Sequence, residues 1–175
     1  IKPVHSLVAA VMDGVGVPGL LLDGNSSPHD FSLRPSQARV LQQAQIVVWI
    51  GPTLETALVK PLRSIAASAQ QITLIDSPGL TRYPSRTRSG FGDDDHSHDS
   101  THKGHKNDSA AHEHDHDSAG KGLGKLADSA RPIDPHIWLD PINAVAMVQA
   151  VAATLSRADP GNAKRYQHNA DALTD

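Results

Sequence analysis

Cysteine is absent from the 175 residues, which excludes a disulfide framework and any thiolate zinc site within this chain. Aromatic residues make up only 3%, namely Phe31, Phe91, Trp49, Trp138, Tyr83 and Tyr166. Nucleic-acid binding usually shows as a basic stripe with interleaved aromatics. Here 16 Lys and Arg stand against 19 Asp and Glu without such a stripe, so no nucleic-acid partner is expected. No apolar run reaches the length of about 18 residues that a transmembrane helix needs, and no membrane insertion of this chain is expected. A signal peptide is also missing. The chain opens at Ile1-Lys2-Pro3 with a helical pattern following at once, as though a strand had been cut through. It ends, at residues 169–175, inside an uncapped amphipathic helix. Both ends read as truncations.

What is abundant is histidine, and it is concentrated. Residues 93–117, DDDHSHDSTHKGHKNDSAAHEHDHD, carry seven of the 11 histidines: His96, His98, His102, His105, His112, His114 and His116. Eight carboxylates and two lysines share the stretch, a net charge of −6 against −3 for the whole chain. The remainder is therefore close to neutral, and the acidity belongs to the tract. Without a large apolar residue the tract cannot offset its ordering entropy, so a mobile loop is expected. Imidazole with carboxylate suits a borderline divalent metal such as Zn²⁺, and His-rich tracts read compositionally as metal binding. A solvated acidic linker is the bland alternative. An expression tag does not fit, because the tract is internal, irregular and rich in Asp.

Around the tract the chain alternates between helix and strand signals. Val4, Leu7, Val8 and Val11 recur at helical spacing and stop at Asp13-Gly14. Residues 19–22 form a short apolar run that reads as a buried strand, followed by turn chemistry at residues 23–28. Pro35 suits the first turn of a helix. Residues 46–50, IVVWI, are continuously apolar, as in a parallel strand covered on both faces. A helix begins near Leu54, with Pro61 placed to kink or divide it, and residues 71–75 read as another strand. Ile137, Trp138 and Leu139 are a further short apolar segment. Asp140-Pro141 and Asp159-Pro160 each read as an N-cap with proline at the first helical position. The alternation predicts an α/β fold, a single Rossmann-like lobe with a mostly parallel four-stranded sheet flanked by helices. Residues 1–158 would form the lobe, with 93–130 as a disordered insertion and 159–175 as the start of a further helix. In such sheets ligands bind beyond the carboxyl ends of the strands, where His29 falls.

Two histidines outside the tract share a setting. His29 sits in Ser27-Pro28-His29-Asp30-Phe31, and His136 in Asp134-Pro135-His136-Ile137-Trp138. Each follows a proline, which holds the residue before it extended, and each has an aromatic able to pack its loop down. Asp30 and Asp134 are placed to accept a hydrogen bond from the non-ligating ring nitrogen and fix the tautomer; they are equally acceptable as turn residues. Asp140 reads as a helix cap. His5, on the first helix, is a weaker candidate ligand, and His168 reads as solvent-facing. Zinc takes about four ligands, and no third is evident here.

The strings IKPVHSLVAAVM, SPHDFSLRPSQARVLQQAQIVVWIGPTLE and DPHIWLDPINAVAM, with the His/Asp tract before the last, resemble the zinc-specific solute-binding proteins of bacterial ABC importers, the ZnuA type. The resemblance runs over nearly the whole chain in matching order. It implies two α/β lobes joined by a long helix, with zinc in the cleft between them. It further implies that His29 and His136 are the first lobe's ligands, that another histidine and a carboxylate or water come from the second lobe, and that the protein is a periplasmic monomer serving an ABC permease. Some relatives carry Glu immediately before the first ligand histidine; Pro28 stands there and cannot ligate. The second lobe is missing, so residues 159–175 would be the start of the linking helix.

The function expected is capture of Zn²⁺ for an ABC permease without catalysis, the tract serving as a weak collector or sensor. Neutral imidazole is required for ligation, so binding by the tract is expected to fail as pH drops below about 6.5. Manganese or iron transport on the same fold is the nearest rival, although manganese prefers oxygen-rich sites. A zinc hydrolase would need a general base and a substrate pocket, and neither histidine motif has the HExxH form. An adhesin role on the same fold is a third reading.

Overall fold

The structure, a computed structural model, describes residues 1–24, 27–86 and 132–175. It divides into two units, Ile1–Tyr83 with Ile133–Asp175, and Pro84–Pro132. The second is described only at residues 84–86 and 132, where Ser85 N–H donates to Pro132 O at 2.8 Å. Every named helix and strand belongs to the first unit. The tract at 93–117 and the expected insertion at 93–130 lie outside the described residues.

In chain order the first unit contains α1 (Lys2–Val11), α2 (Pro35–Gln43), β1 (Ile46–Trp49), α3 (Val59–Ser64), β2 (Gln70–Thr73), α4 (Pro141–Ala158) and α5 (Ala163–Thr174). Short 3₁₀ turns stand at Thr56–Leu58, Leu74–Asp76, Ile137–Leu139 and Pro160–Asn162. Proline opens α2 and α4 at positions where its missing N–H costs nothing. Asp140 caps α4, accepting from Ile142 N–H at 2.8 Å. Pro61 lies within the short α3, which follows a separate 3₁₀ turn, so the helix expected from Leu54 is divided.

β1 and β2 pair in parallel, Ile46 opposite Gln70 and Trp49 opposite Thr73. Side chains alternate across a strand, and the two faces of β1 accordingly enter different cores. Val47 and Trp49 join Leu41 of α2 and Leu62 of α3. Ile46 and Val48 pack towards Val4 and Val8 of α1, Met147 and Val151 of α4, and Tyr166 of α5. Helices therefore cover both faces, as the uninterrupted apolar run implies. None of the described helices is long and apolar enough to cross a membrane.

Two parallel strands are found among the described residues, rather than four. Residues 19–22 are not a strand: Leu22 is buried with Phe31 and Leu41, and Leu21 O accepts from Gln37 Nε2 at 2.7 Å, but among the described residues no neighbouring strand supplies a backbone ladder. Apolar sequence buries a segment; a strand also needs a partner edge. Ile137–Leu139 closes into a single turn, Leu139 N–H reaching His136 O at 3.2 Å. The strand expected at 71–75 is shorter at its carboxyl end, where Leu74–Asp76 winds into a 3₁₀ turn.

Beyond β1 the chain makes a sharp loop around a buried carboxylate. Gly51 has φ +148°, and a Cβ there would come within 3.0 Å of Ile75 Cγ2, so glycine is required. Glu55 is 1% exposed and accepts from Ile50 N–H at 2.9 Å and Gly51 N–H at 3.1 Å. Burial pushes its carboxyl above the ordinary value of 4.5, against the opposing pull of the Gly51 amide, the Ile1 ammonium and the Ile50 amide. A raised acid holds its proton more tightly when folded than when unfolded, so its contribution is fully present below 4.5 and declines as pH rises through the folded value. The stability of the native chain relative to Glu55→Gln is therefore expected to fall as pH rises from 4.5, measured by urea unfolding of both proteins across that range. A constant difference contradicts this.

Candidate metal centre

The two proline-led loops meet. The rings of His29 and His136, far apart in sequence, have centroids 5.5 Å apart and planes inclined at 53°. Two imidazoles bound to one tetrahedral zinc through Zn–N bonds of about 2.0–2.1 Å place their centroids about 5 Å apart. The observed spacing is close to that of a shared metal.

Each loop is held by contacts on its own side. At His29 the chain turns tightly: Asp30 N–H donates to Ser27 O at 3.2 Å, and His29 N–H to Ser27 Oγ at 3.3 Å. Phe31, directly after the turn, is buried against Leu22 and Leu41 and pins the loop to the core that Val47, Trp49 and Leu62 share. From the other side Thr56 Oγ donates to His29 O at 3.3 Å. Thr56 follows Glu55, so the buried carboxylate that shapes the loop after β1 also places the residue that steadies His29.

At His136 the partner is a carboxylate. Asp134 Oδ1 lies 2.7 Å from His136 Nδ1 and also accepts His136 N–H at 3.0 Å. With Nδ1 donating to Asp134, the lone pair is on Nε2, which leaves that nitrogen able to ligate. Asp134 N–H in turn donates to Tyr83 O at 2.8 Å. The Trp138 ring packs on the imidazole with centroids 5.2 Å apart, and buried Ile137 anchors the turn in the core that Val4, Val8, Met147 and Val151 share. Substitution Asp134→Ala is expected to weaken zinc binding by about 10–100-fold with little change in melting temperature, since the pair is substantially exposed. Unchanged affinity by calorimetry contradicts this role.

The remaining candidates separate from this pair. Asp30 is exposed, and among the described residues no hydrogen bond joins its side chain to His29. His5 Nε2 lies 2.9 Å from Pro18 O, engaged with the loop after α1. His168 is exposed on α5. Asp140 caps α4 and also receives Tyr83 O–H at 3.4 Å. The seven tract histidines lie outside the described residues. Among the described residues no group of three or more histidines and carboxylates gathers to hold a metal; His29 and His136 stand as a pair. Thr56 escapes a reading of histidine motifs alone, although its loop follows the carboxyl end of a parallel strand, where ligand sites cluster.

A protein-family model described as ZnuA, the zinc-uptake complex component A, periplasmic, matches residues 1–175. The chain is 37% identical over 172 residues to the high-affinity zinc uptake system protein ZnuA of Brucella abortus (strain 2308), covering 98% of this chain and 52% of the relative. It is 36% identical over 175 residues to the protein of the same description from Paracoccus denitrificans, covering 100% and 51%. The chain thus spans about half the length of these curated relatives. A zinc-bound crystal structure of a ZnuA deletion mutant is similar in fold, with a TM-score of 0.66 at 21% identity, over 98% of this chain and 50% of that one.

Proposed function

The chain belongs to the ZnuA family of periplasmic zinc-uptake components, and from that premise we propose that it supplies half of the site by which a periplasmic, monomeric solute-binding protein captures Zn²⁺ for an ABC permease. Zinc is the cargo, and no reaction is catalysed. The observation that carries this reading is the 5.5 Å approach of the His29 and His136 rings. His136 ligates through Nε2 while Asp134 holds Nδ1; His29 supplies the second nitrogen. The ligands that complete about four-coordination come from outside this chain, in keeping with its length relative to the proteins it matches. The tract at 93–117 collects zinc weakly and delivers it to the histidine pair.

Two imidazoles favour zinc over manganese, whose preference is for oxygen donors. A hydrolase needs a general base free to act on a metal-bound water. Asp134 instead orients His136, through both ring and backbone. The test is calorimetric titration with Zn²⁺ and Mn²⁺ of the chain lacking residues 93–117. Zinc is expected to bind once per chain and at least about tenfold more tightly than manganese. Equal affinities, or tighter manganese binding, overturn the zinc reading.

A further inference from the structure

Asn143, in the first turn of α4, is fully buried, and both ends of its amide are engaged by one residue. Oδ1 accepts Thr81 N–H at 2.7 Å, and Nδ2 donates to Thr81 O at 2.9 Å. Residues 80–83 belong to no named helix or strand, and backbone groups without a ladder need other partners. The Asn143 side chain supplies them at Thr81. Breaking either bond would leave a polar atom of the buried amide unpaired, which is costly. The grip is therefore firm, and it fixes Thr81 against α4.

Two residues further on, the same segment reaches the metal centre. Tyr83 O accepts Asp134 N–H at 2.8 Å, and Asp134 Oδ1 lies 2.7 Å from His136 Nδ1. Between these points Arg82 donates from Nε and Nη2 to Ile75 O, at 3.2 and 3.0 Å, so the segment is also tied beyond β2. Tyr83 O–H meets Asp140 Oδ2 at 3.4 Å, and Asp140 caps α4. The start of α4 thus holds the segment at two places, Thr81 and Tyr83. Asp134 itself is substantially exposed, so packing alone does not set where its carboxylate stands.

We propose that Asn143 is a positioning residue of the metal centre, acting through Thr81 and Tyr83 on Asp134 and so on the ring of His136; this rests on the reading of His136 as a zinc ligand. By fixing Tyr83 O, Asn143 keeps the backbone of Asp134, and with it the carboxylate, at hydrogen-bond distance from Nδ1. Nε2 is then the free nitrogen before any metal arrives, and a ring ordered in advance loses less freedom on binding.

The test is nitrogen NMR of the assigned His136 ring in the 175-residue chain, without metal and at about pH 8, where an ordinary imidazole is neutral. Asn143→Asp keeps the side chain's size and the acceptor for Thr81 N–H but loses the donor to Thr81 O. Thr81→Pro cuts the other bond from an exposed position, which leaves the packing of α4 untouched. Val151→Ala removes buried volume further along the same helix and serves as the control for general loosening. The ratio of the Nδ1–H to the Nε2–H form is expected to fall at least about fivefold in the first two variants and to stay within about twofold of native in the third. Zinc affinity, read at the same ring, is expected to fall about tenfold in Asn143→Asp but by less than about twofold when Asp134→Ala is already present, since the two act along one route. An unchanged ratio in Asn143→Asp or Thr81→Pro overturns the proposal, as does an equal fall in Val151→Ala. So does a zinc effect of Asn143→Asp that persists in full on the Asp134→Ala background. The comparison of ring forms needs no zinc, so it decides the role of Asn143 separately from the zinc reading.

Discussion

Replacing His136 with Ala, in a protein of the relatives' full length that lacks residues 93–117, is expected to lower zinc affinity by about a thousandfold or more, roughly 4 kcal/mol. The scale follows from the ligand count. An orienting partner such as Asp134 is worth about 10–100-fold, and a group that donates directly to the metal must exceed it. His29→Ala is expected to do the same, and the double substitution to cost less than the sum, since a site that has lost one corner gains little from the other. Both histidines are exposed, so neither change should alter stability by more than surface substitutions usually do, about 0.5 kcal/mol. Calorimetry with a melting curve on each variant separates loss of ligand from loss of fold. Removal of the tract matters to the design, because without its seven histidines the titration reports on His29 and His136 rather than on the tract.

The second large effect concerns the chain alone. The 175-residue chain without residues 93–117 is expected to bind zinc at least about a hundredfold more weakly, or roughly 2.7 kcal/mol, than a protein in which it is followed by a second half of the relatives' length. Two histidines leave a zinc ion about half coordinated by protein, with water in the remaining positions and no opposite wall to exclude solvent. Charge interactions with the metal are correspondingly screened. Titration of both proteins at one pH and ionic strength gives the ratio directly. Equal affinities would mean that this half holds a complete site, contrary to the absence of a third donor beside the pair among the described residues.

Much of the fold was legible in local chemistry. The apolar run at 46–50 announced a strand covered on both faces, and the faces of β1 do enter two cores. Asp140-Pro141 announced the start of α4, and Pro35 that of α2. The sheet was legible only in part. Residues 19–22 have the composition of a strand, but hydrogen-bonded neighbours make a strand, and composition does not report them. Ile137–Leu139 is apolar because Ile137 must be buried, while the backbone is wound into a turn between His136 and the cap at Asp140. Repetition of a proline-led histidine singled out His29 and His136, whose rings lie 5.5 Å apart. The roles of Asp30 and Asp134 were symmetrical in sequence and are not so in space, because only Asp134 has its carboxylate turned back on its histidine. Thr56 was hidden for a different reason: its bond to His29 O spans 27 positions, and no local motif carries it.

The most direct measurement is an anomalous difference map at the zinc absorption edge, from crystals of a protein of the relatives' full length, lacking residues 93–117 and grown with one equivalent of zinc. The expected result is a single peak about 2.0–2.2 Å from one ring nitrogen of His29 and from Nε2 of His136, with Asp134 still on Nδ1. A peak at other residues, with both of these rings free of metal, contradicts the assignment.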